Sequence, residues 1–191
     1  MFAAKRLGKE LAKAKQKLPP GIELIKADDF HEWQMDIRVL DDNPLYKGQI
    51  FRLSFIFNNQ YPIEAPEVCF IHVPPSQQPS SPSNPIDLTD PASSQPTGRP
   101  IPIHPHIYSN GIICLDLLGT AGWSPVQSVE SVCMSLQSML TGNSKNERPQ
   151  GDEQFCQSMG VRGPDGWTGW RGGGHGRGLK DVRFAYDDDT V

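Results

Sequence analysis

The stretch WQMDIRVLDDNPLYKGQIFRLSFIF, residues 33–57, decides the fold of this chain. Apolar residues alternate with polar ones in its first part, where Trp33, Met35 and Ile37 stand two positions apart. Its last part repeats the alternation with phenylalanine or leucine at every second position, and a turn-forming Asp-Asp-Asn-Pro lies between the two parts. A period of two is typical of a half-buried strand, and a short connection joins antiparallel neighbours. The stretch therefore predicts two antiparallel strands.

Two shorter apolar runs flank this pair and extend the predicted sheet. The run IELIK precedes it at 22–26, and EVCFIHV follows it at 67–73. Because short turns separate these similar runs, they predict a four-stranded antiparallel meander.

Apolar residues three and four positions apart predict two helices, one before the strands in the sequence and one after them. Pro19-Pro20-Gly21 ends the first, N-terminal helix. The second covers 129–141 and stops at Gly142, with either Ser124 or Ser128 as its N-cap. The stripe of the first helix consists of Ala3, Leu7, Leu11, Ala14 and Leu18.

One more short helix is predicted over 152–159. The order of elements is then an N-terminal helix, a four-stranded meander, an irregular segment and C-terminal helices. That order predicts the α+β class.

The composition of the 191 residues excludes several classes of protein. With 18 Lys+Arg against 22 Asp+Glu, the chain lacks the basic footprint of a nucleic-acid binder. It has no apolar run long enough to span a membrane and no apolar signal-peptide core, so we expect neither membrane association nor secretion. The four cysteines are far apart without a CxxC pair, which predicts no metal site and reduced thiols in the cytosol or nucleus.

Two biased segments divide the chain into a core and its appendages. Residues 74–100 contain 8 Pro, 6 Ser and 3 Gln, and residues 160–180 contain 9 Gly. Such segments bury too little apolar surface to offset the entropy of ordering them. We therefore predict a core over 1–159 with a disordered insertion at 74–100, a flexible linker at 160–180 and an acidic tail at 181–191.

The segment IPIHPHIYSNGIICLDLLGTAGWSP, residues 101–125, fits neither a regular helix nor a regular strand. A long irregular segment inside a compact domain is more often functional than not. Cys114 lies within it between short apolar pairs, near His104 and His106. A cysteine hydrolase that pairs Cys114 with one of these histidines is one hypothesis, although no hydrolase signature or orienting group accompanies it.

Four motifs in one order resemble the ubiquitin-conjugating enzymes. They are KRLGKEL on the first helix, YPIEAP at 61–66, HPHIYSNGIICLDLL at 104–118 and WSP at 123–125. Together they extend over about residues 3–150. The resemblance implies that Cys114 receives ubiquitin from an activating enzyme as a thioester and passes it to an amine.

The resemblance also assigns further catalytic candidates. Family members usually carry His-Pro-Asn, whose asparagine supports the oxyanion, whereas this chain has His106 at that position. His106 then either donates a hydrogen bond to the oxyanion or braces the loop. Asn110 is predicted to form the turn that presents the cysteine, and Asp116 either contributes to the acceptor site or is simply solvated.

Three features resemble the W-type branch of the family, which favours the α-amino group of protein N-termini. They are the His-Pro-His motif, the tail YDDDTV at 186–191, and the stretch TGNSKNERP at 141–149, where other members place an acid beside the cysteine. Because an α-amine has a pKa near 7.8 and a lysine near 10.4, loss of that acid penalises lysine most. We expect protein substrates with free N-termini.

The same resemblance implies partners but no cofactor, since ATP enters only through the activating enzyme. Alternatives are a carrier of another ubiquitin-like modifier and a non-catalytic binding module, and we expect the protein in the cytoplasm and nucleus. The residues implied to contact the activating enzyme are Lys5, Arg6 and Lys9, for which a simply solvated charged face is the alternative. Those implied to contact RING-type ligases are Ile63, Ser124 and Pro125.

Overall fold

The computed structural model describes residues 2–75, 98–119, 121–163 and 166–168. Most of the predicted insertion, part of the predicted linker and all of the predicted acidic tail lie outside the described residues. The elements, in chain order, are α1 (Phe2–Gln16), β1 (Ile22–Lys26), β2 (Glu32–Ile37), β3 (Phe51–Ile56), β4 (Glu67–Ile71), α2 (Val129–Thr141), α3 (Asp152–Met159), β5 (Val161–Gly163) and β6 (Gly166–Thr168).

The predicted meander is confirmed. The four strands lie in the order β1-β2-β3-β4 and every neighbouring pair is antiparallel. Trp33 lies opposite Phe55 and Met35 opposite Leu53, so the alternating apolar residues of β2 and β3 share one face of the sheet. All four are fully buried. The predicted α+β class is therefore correct.

Ala3 and Leu7 of the predicted α1 stripe are buried, whereas Leu11 and Leu18 pack against the core partly exposed. The apolar side of α2 is buried, and α2 packs against β2. Of the two predicted N-caps, the structure has Ser128, whose hydroxyl accepts a hydrogen bond from the backbone N–H of Ser131. The Ser131 hydroxyl in turn accepts from the Ser128 backbone N–H, which completes a capping box. Gly142 ends the helix, as predicted.

The polar residues of β2 are less exposed than their alternation predicts. Asp36 is 3% exposed, and its carboxylate accepts hydrogen bonds from Arg52 at 2.6 and 3.0 Å and from Arg99 at 2.9 Å. A carboxylate is tolerated in a buried position when it is paired in this way. Val73 and Arg99 also exchange two backbone hydrogen bonds, so the two ends of the predicted insertion meet at the edge of the sheet.

No strand was predicted within the linker at 160–180, but β5 and β6 pair there as a short antiparallel hairpin. The nine glycines obscured this signal, because glycine is depleted in strands.

The irregular segment that carries Cys114 is attached to the sheet through its backbone. Phe70 on β4 donates its N–H to the carbonyl of Gly111 at 2.9 Å, and Cys69 forms a bridge with Ile112. Within the segment, Tyr108 and Ile112 are joined by a hydrogen bond of 2.9 Å. We call residues 107–113 the active-site hairpin.

Gly111 allows this attachment. Its φ is +90°, and a methyl group on its Cα would lie 1.9 Å from the carbonyl oxygen of Phe70. Only glycine fits both the left-handed backbone and the close approach.

We predict that Gly111→Ala lowers the free energy of unfolding by about 3 kcal/mol or more, because the clash adds to the backbone strain. Gly48→Ala is the matched control, since Gly48 has a φ of +73° but no atom within 4 Å of an added methyl group. It should cost about 1–2 kcal/mol, from the left-handed backbone alone. Urea unfolding measures both, and equal losses in the two variants would contradict the close approach.

Candidate active site

Cys114 directly follows the active-site hairpin and is partly exposed. Its backbone N–H donates to the carbonyl of His106 at 2.8 Å. Leu115 is extended, and a short 3₁₀ helix then covers Asp116–Leu118. The hairpin and the 3₁₀ helix thus fix the backbone on both sides of the cysteine.

The four cysteines fall into two classes. Cys69 and Cys133 are buried, whereas Cys114 and Cys156 are partly exposed. Burial raises the pKa of both the Cys133 and the Cys156 thiols, which disfavours their reactive thiolate forms. The Sγ of Cys156 also lies 3.2 Å from the Ser109 hydroxyl.

His104 supports the loop from inside. It is 5% exposed, and its Nδ1 accepts a hydrogen bond from the backbone N–H of His106 at 2.9 Å. Its ring also bonds to the backbone of Met139 on α2. Burial, followed by the neighbouring His106, lowers the pKa of His104 to about 4. His104 is therefore a neutral structural histidine at physiological pH.

The structure places the His106 side chain on the surface. The two imidazole rings are 5.5 Å apart between centroids. The backbone carbonyl of His106 accepts a hydrogen bond from the backbone N–H of Cys114. His106 therefore combines an exposed ring with a backbone contact to the cysteine.

Asn110 lies inside the active-site hairpin and is 1% exposed. Its Oδ1 accepts from the backbone N–H of Ile112 at 3.1 Å, and its Nδ2 donates to the carbonyl of Gly160 at 3.0 Å. Both ends of the amide are thus used to shape the turn. This geometry agrees with a role in presenting the cysteine.

Asp116 is exposed at the start of the 3₁₀ helix. Gly122 packs on its backbone so closely that an added methyl group would lie 2.1 Å from the Asp116 carbonyl oxygen. The next residue, Trp123, donates its indole N–H to the carbonyl of Pro62 at 2.8 Å. The loop after the cysteine is therefore tied to the YPIEAP loop.

The predicted docking residues on α1 divide into outward and inward side chains. Lys5 and Lys9 are exposed, whereas Arg6 turns inward. The Arg6 guanidinium donates to the carbonyls of Pro125 at 3.0 Å and Gln127 at 2.6 Å. Arg6 therefore holds the loop that precedes α2.

Glu10, which sequence reasoning did not single out, connects three elements. Its carboxylate accepts hydrogen bonds from Arg6 Nε at 2.5 Å, from the Tyr61 hydroxyl at 2.7 Å and from the backbone N–H of Val129 at 2.9 Å. Val129 opens α2, where a negative charge is favoured. Burial, and then the charge of Glu10, raise the pKa of Tyr61. The motif KRLGKEL contains Glu10, but its partners lie 51 and 119 residues away.

The predicted ligase-contact residues lie on the two loops that these bonds hold. Ile63 is 68% exposed, and Pro125 is exposed, whereas Ser124 is partly buried. Val126 is 84% exposed on the same loop and was missed by the sequence analysis. Exposed apolar side chains on neighbouring loops are typical of a protein-contact surface.

Neither a metal centre nor a membrane span emerges from the described part of the chain. No group of three His, Cys, Asp or Glu side chains there is arranged to hold a metal ion. None of its helices combines the length and apolar character that crossing a membrane requires.

A sequence model of the ubiquitin-conjugating enzymes matches residues 6–159. The chain belongs to this family. Members of the family are transferases that act through a cysteine thioester and work with ubiquitin, an activating enzyme and ubiquitin ligases. The fold described above, with one partly exposed cysteine at the end of the active-site hairpin, is the fold of this enzyme class.

Individual relatives support the W-type branch. The chain is 34% identical over 188 residues to the probable ubiquitin-conjugating enzyme E2 W of Dictyostelium discoideum, covering 98% of this chain and 97% of the relative. It is 36% identical over 159 residues to ubiquitin-conjugating enzyme E2 W of Caenorhabditis elegans, covering 82% and 86%. The crystal structure of the ubiquitin conjugating enzyme E2 UbcA1 of Agrocybe aegerita matches with a TM-score of 0.65 and 37% identity, covering 86% of this chain and 96% of that one.

The low pKa of His104 predicts a pH dependence of stability. Because its folded pKa of about 4 lies below the unfolded value of 6.5, the unfolded chain takes up the proton first. Stability from this residue is therefore present above pH 6.5 and is lost as the pH falls toward 4. Between pH 7 and pH 5 we expect a loss of about 1–2 kcal/mol.

Urea unfolding across this pH range checks the prediction with two variants. His104→Asn removes the titrating ring but keeps an oxygen that accepts the His106 N–H, so its stability should fall less on acidification than that of the wild type. His72→Asn changes an exposed histidine and should follow the wild type. Three parallel pH curves would contradict the assignment to His104.

Proposed function

We propose that Cys114 accepts ubiquitin as a thioester and transfers it to amines, with a preference for the α-amino groups of protein N-termini. The observation that supports Cys114 is its partly exposed position at the end of the active-site hairpin. The other partly exposed cysteine, Cys156, lies on α3.

The cysteine hydrolase hypothesis receives less support from the same geometry. A general base needs an accessible nitrogen near the thiol. The His104 ring is buried and its Nδ1 is occupied by a backbone N–H, so of the two histidines only the exposed His106 is accessible for this role. Together with the family membership, this favours acyl transfer over hydrolysis. Because its relatives are named for ubiquitin, we also favour ubiquitin over another modifier.

The stretch 141–149 supports the preference for α-amines. Two of its polar side chains turn to the protein: Asn143 donates to the Tyr46 hydroxyl at 2.6 Å, and Arg148 donates to the carbonyl of Pro102 at 2.6 Å. Its single acidic residue, Glu147, is exposed, and its Oε1 lies 3.6 Å from the Nζ of Lys145. A carboxylate paired at the surface in this way is less suited to deprotonating an acceptor lysine. An α-amine, with a pKa near 7.8, needs that assistance least.

Docking surfaces complete the proposal. We assign the activating enzyme to the exposed lysines of α1, Lys5 and Lys9, and RING-type ligases to Ile63, Pro125 and Val126 on the adjacent loops. Arg6 supports the second surface from within. Since a reactive thiol needs a reducing compartment, we propose the cytoplasm and nucleus as its location.

A discharge assay tests the proposed function. The enzyme is charged with ubiquitin by an activating enzyme and ATP, and the thiol-sensitive adduct is then mixed with one of two peptides. One peptide has a free N-terminus and no lysine, and the other has an acetylated N-terminus and one lysine. Near pH 7.4 we expect discharge to the first to be at least about tenfold faster, because a larger fraction of its amine is neutral.

Mass spectrometry of the peptide products identifies the modified amine. Faster discharge to the lysine peptide would contradict the α-amine preference. Absence of any thiol-sensitive adduct with ubiquitin, together with one formed from another ubiquitin-like modifier, would overturn the assignment to ubiquitin.

A further inference from the structure

Arg148 bonds to the backbone on both sides of the His-Pro-His motif. Its Nη1 donates to the carbonyls of Pro102 at 2.6 Å and Ile107 at 3.0 Å, and its Nη2 donates to the carbonyl of Ile101 at 3.2 Å. A longer contact of 3.5 Å joins Nη1 to the carbonyl of Tyr108. These carbonyls belong to residues 40 to 47 positions earlier in the chain.

The carbonyls that Arg148 binds lie on both sides of a tight turn over residues 104–107 and at its end. Within the turn, Ile107 donates its N–H to the carbonyl of His104 at 3.0 Å. The carbonyl of His106, inside this turn, accepts the backbone N–H of Cys114 at 2.8 Å. The guanidinium therefore fixes both ends of the turn that holds the backbone of the cysteine.

Arginine is suited to this arrangement because its planar guanidinium presents several donors in a fixed geometry. None of the ion pairs between described residues includes Arg148. Its partners are the negative ends of carbonyl dipoles. Burial lowers the pKa of Arg148, but the group stays charged at neutral pH.

A second contact from the same part of the chain acts on the same segment. The Tyr46 hydroxyl donates to the carbonyl of Ile103 at 2.6 Å and accepts from Asn143 at 2.6 Å. Asn143 and Arg148 both belong to the stretch 141–149, in which other family members place an acid. In this chain the stretch instead contributes hydrogen bonds that hold the backbone preceding Cys114.

We propose that Arg148 is a positioning residue for the thioester reaction: by binding the carbonyls on both sides of the His-Pro-His turn, it holds Cys114 in the geometry from which ubiquitin is transferred. This inference rests on the proposed role of Cys114. It adds to that role a residue that acts through the backbone and touches neither ubiquitin nor the acceptor amine.

The test compares Arg148→Met, Arg148→Lys and the control Lys145→Met, which changes an exposed residue of the same stretch. Each variant is charged with ubiquitin, and the discharge rate to the lysine-free peptide is measured per charged molecule. This rate excludes any unfolded fraction, so a purely structural role would not change it. We expect a loss of about tenfold or more for Arg148→Met, because small misplacements of reacting groups are costly.

Arg148→Lys should recover part of the rate, since an ammonium keeps the charge and three donors but cannot bridge both sides of the turn. Lys145→Met should discharge at the wild-type rate. The pH profile of discharge should keep its midpoint in every variant, because the acceptor amine is unchanged. A shifted midpoint would overturn positioning in favour of a direct electrostatic effect.

The remaining outcomes also decide the question. Wild-type discharge rates in both Arg148 variants would overturn this inference and leave the role of Cys114 intact. If neither variant can be charged while both keep wild-type circular dichroism, the thiol is no longer presented, as proposed. If both are unfolded, Arg148 serves stability and the inference is wrong. If the wild type forms no thioester on Cys114, the proposed function itself fails.

Discussion

The backbone pairing between β4 and the active-site hairpin is the constraint on which the rest of the site depends. Residues 101–118 are interrupted by Pro102, Pro105 and a Ser-Asn-Gly turn at 109–111, so they do not form a regular strand or a long helix by themselves. The bond from Phe70 to Gly111 and the bridge between Cys69 and Ile112 attach them to the sheet. A buried backbone must satisfy its polar groups, and this pairing does so while leaving the next residue, Cys114, at the surface.

Polar side chains from distant parts of the chain stabilise the loops that the sheet does not contact. Arg148 and Tyr46 donate to carbonyls of residues that precede Cys114. Trp123, which follows Cys114, donates to a carbonyl of the YPIEAP loop. At the N-terminal end of α2, the pair of Arg6 and Glu10 fixes the loop that carries the exposed Pro125. In each case a polar side chain from a distant part of the chain fixes the backbone of a loop, so irregular segments gain the rigidity that acyl transfer and partner binding need.

The sequence predicted the elements that depend on local patterns. Period-two alternation located β2 and β3, and apolar stripes located α1 and α2, because both signals come from residues near one another in the chain. What it could not predict depends on partners far away. Asp36 was expected on a half-exposed strand but is buried, because Arg99, at the C-terminal end of the predicted insertion, reaches it. Arg148 had no local signature at all, since its carbonyl partners lie 40 to 47 residues earlier.

Mapping the ubiquitin thioester tests the account most directly, because every contact described around the active-site hairpin leads to the presentation of one sulfur atom. The measurement compares Cys114→Ser with Cys156→Ser, the two partly exposed cysteines, on a non-reducing gel after incubation with activating enzyme, ATP and ubiquitin. We predict that the thiol-sensitive adduct disappears in Cys114→Ser and persists in Cys156→Ser. An adduct that survives in Cys114→Ser, or that requires Cys156, would contradict the assignment of the thioester to Cys114.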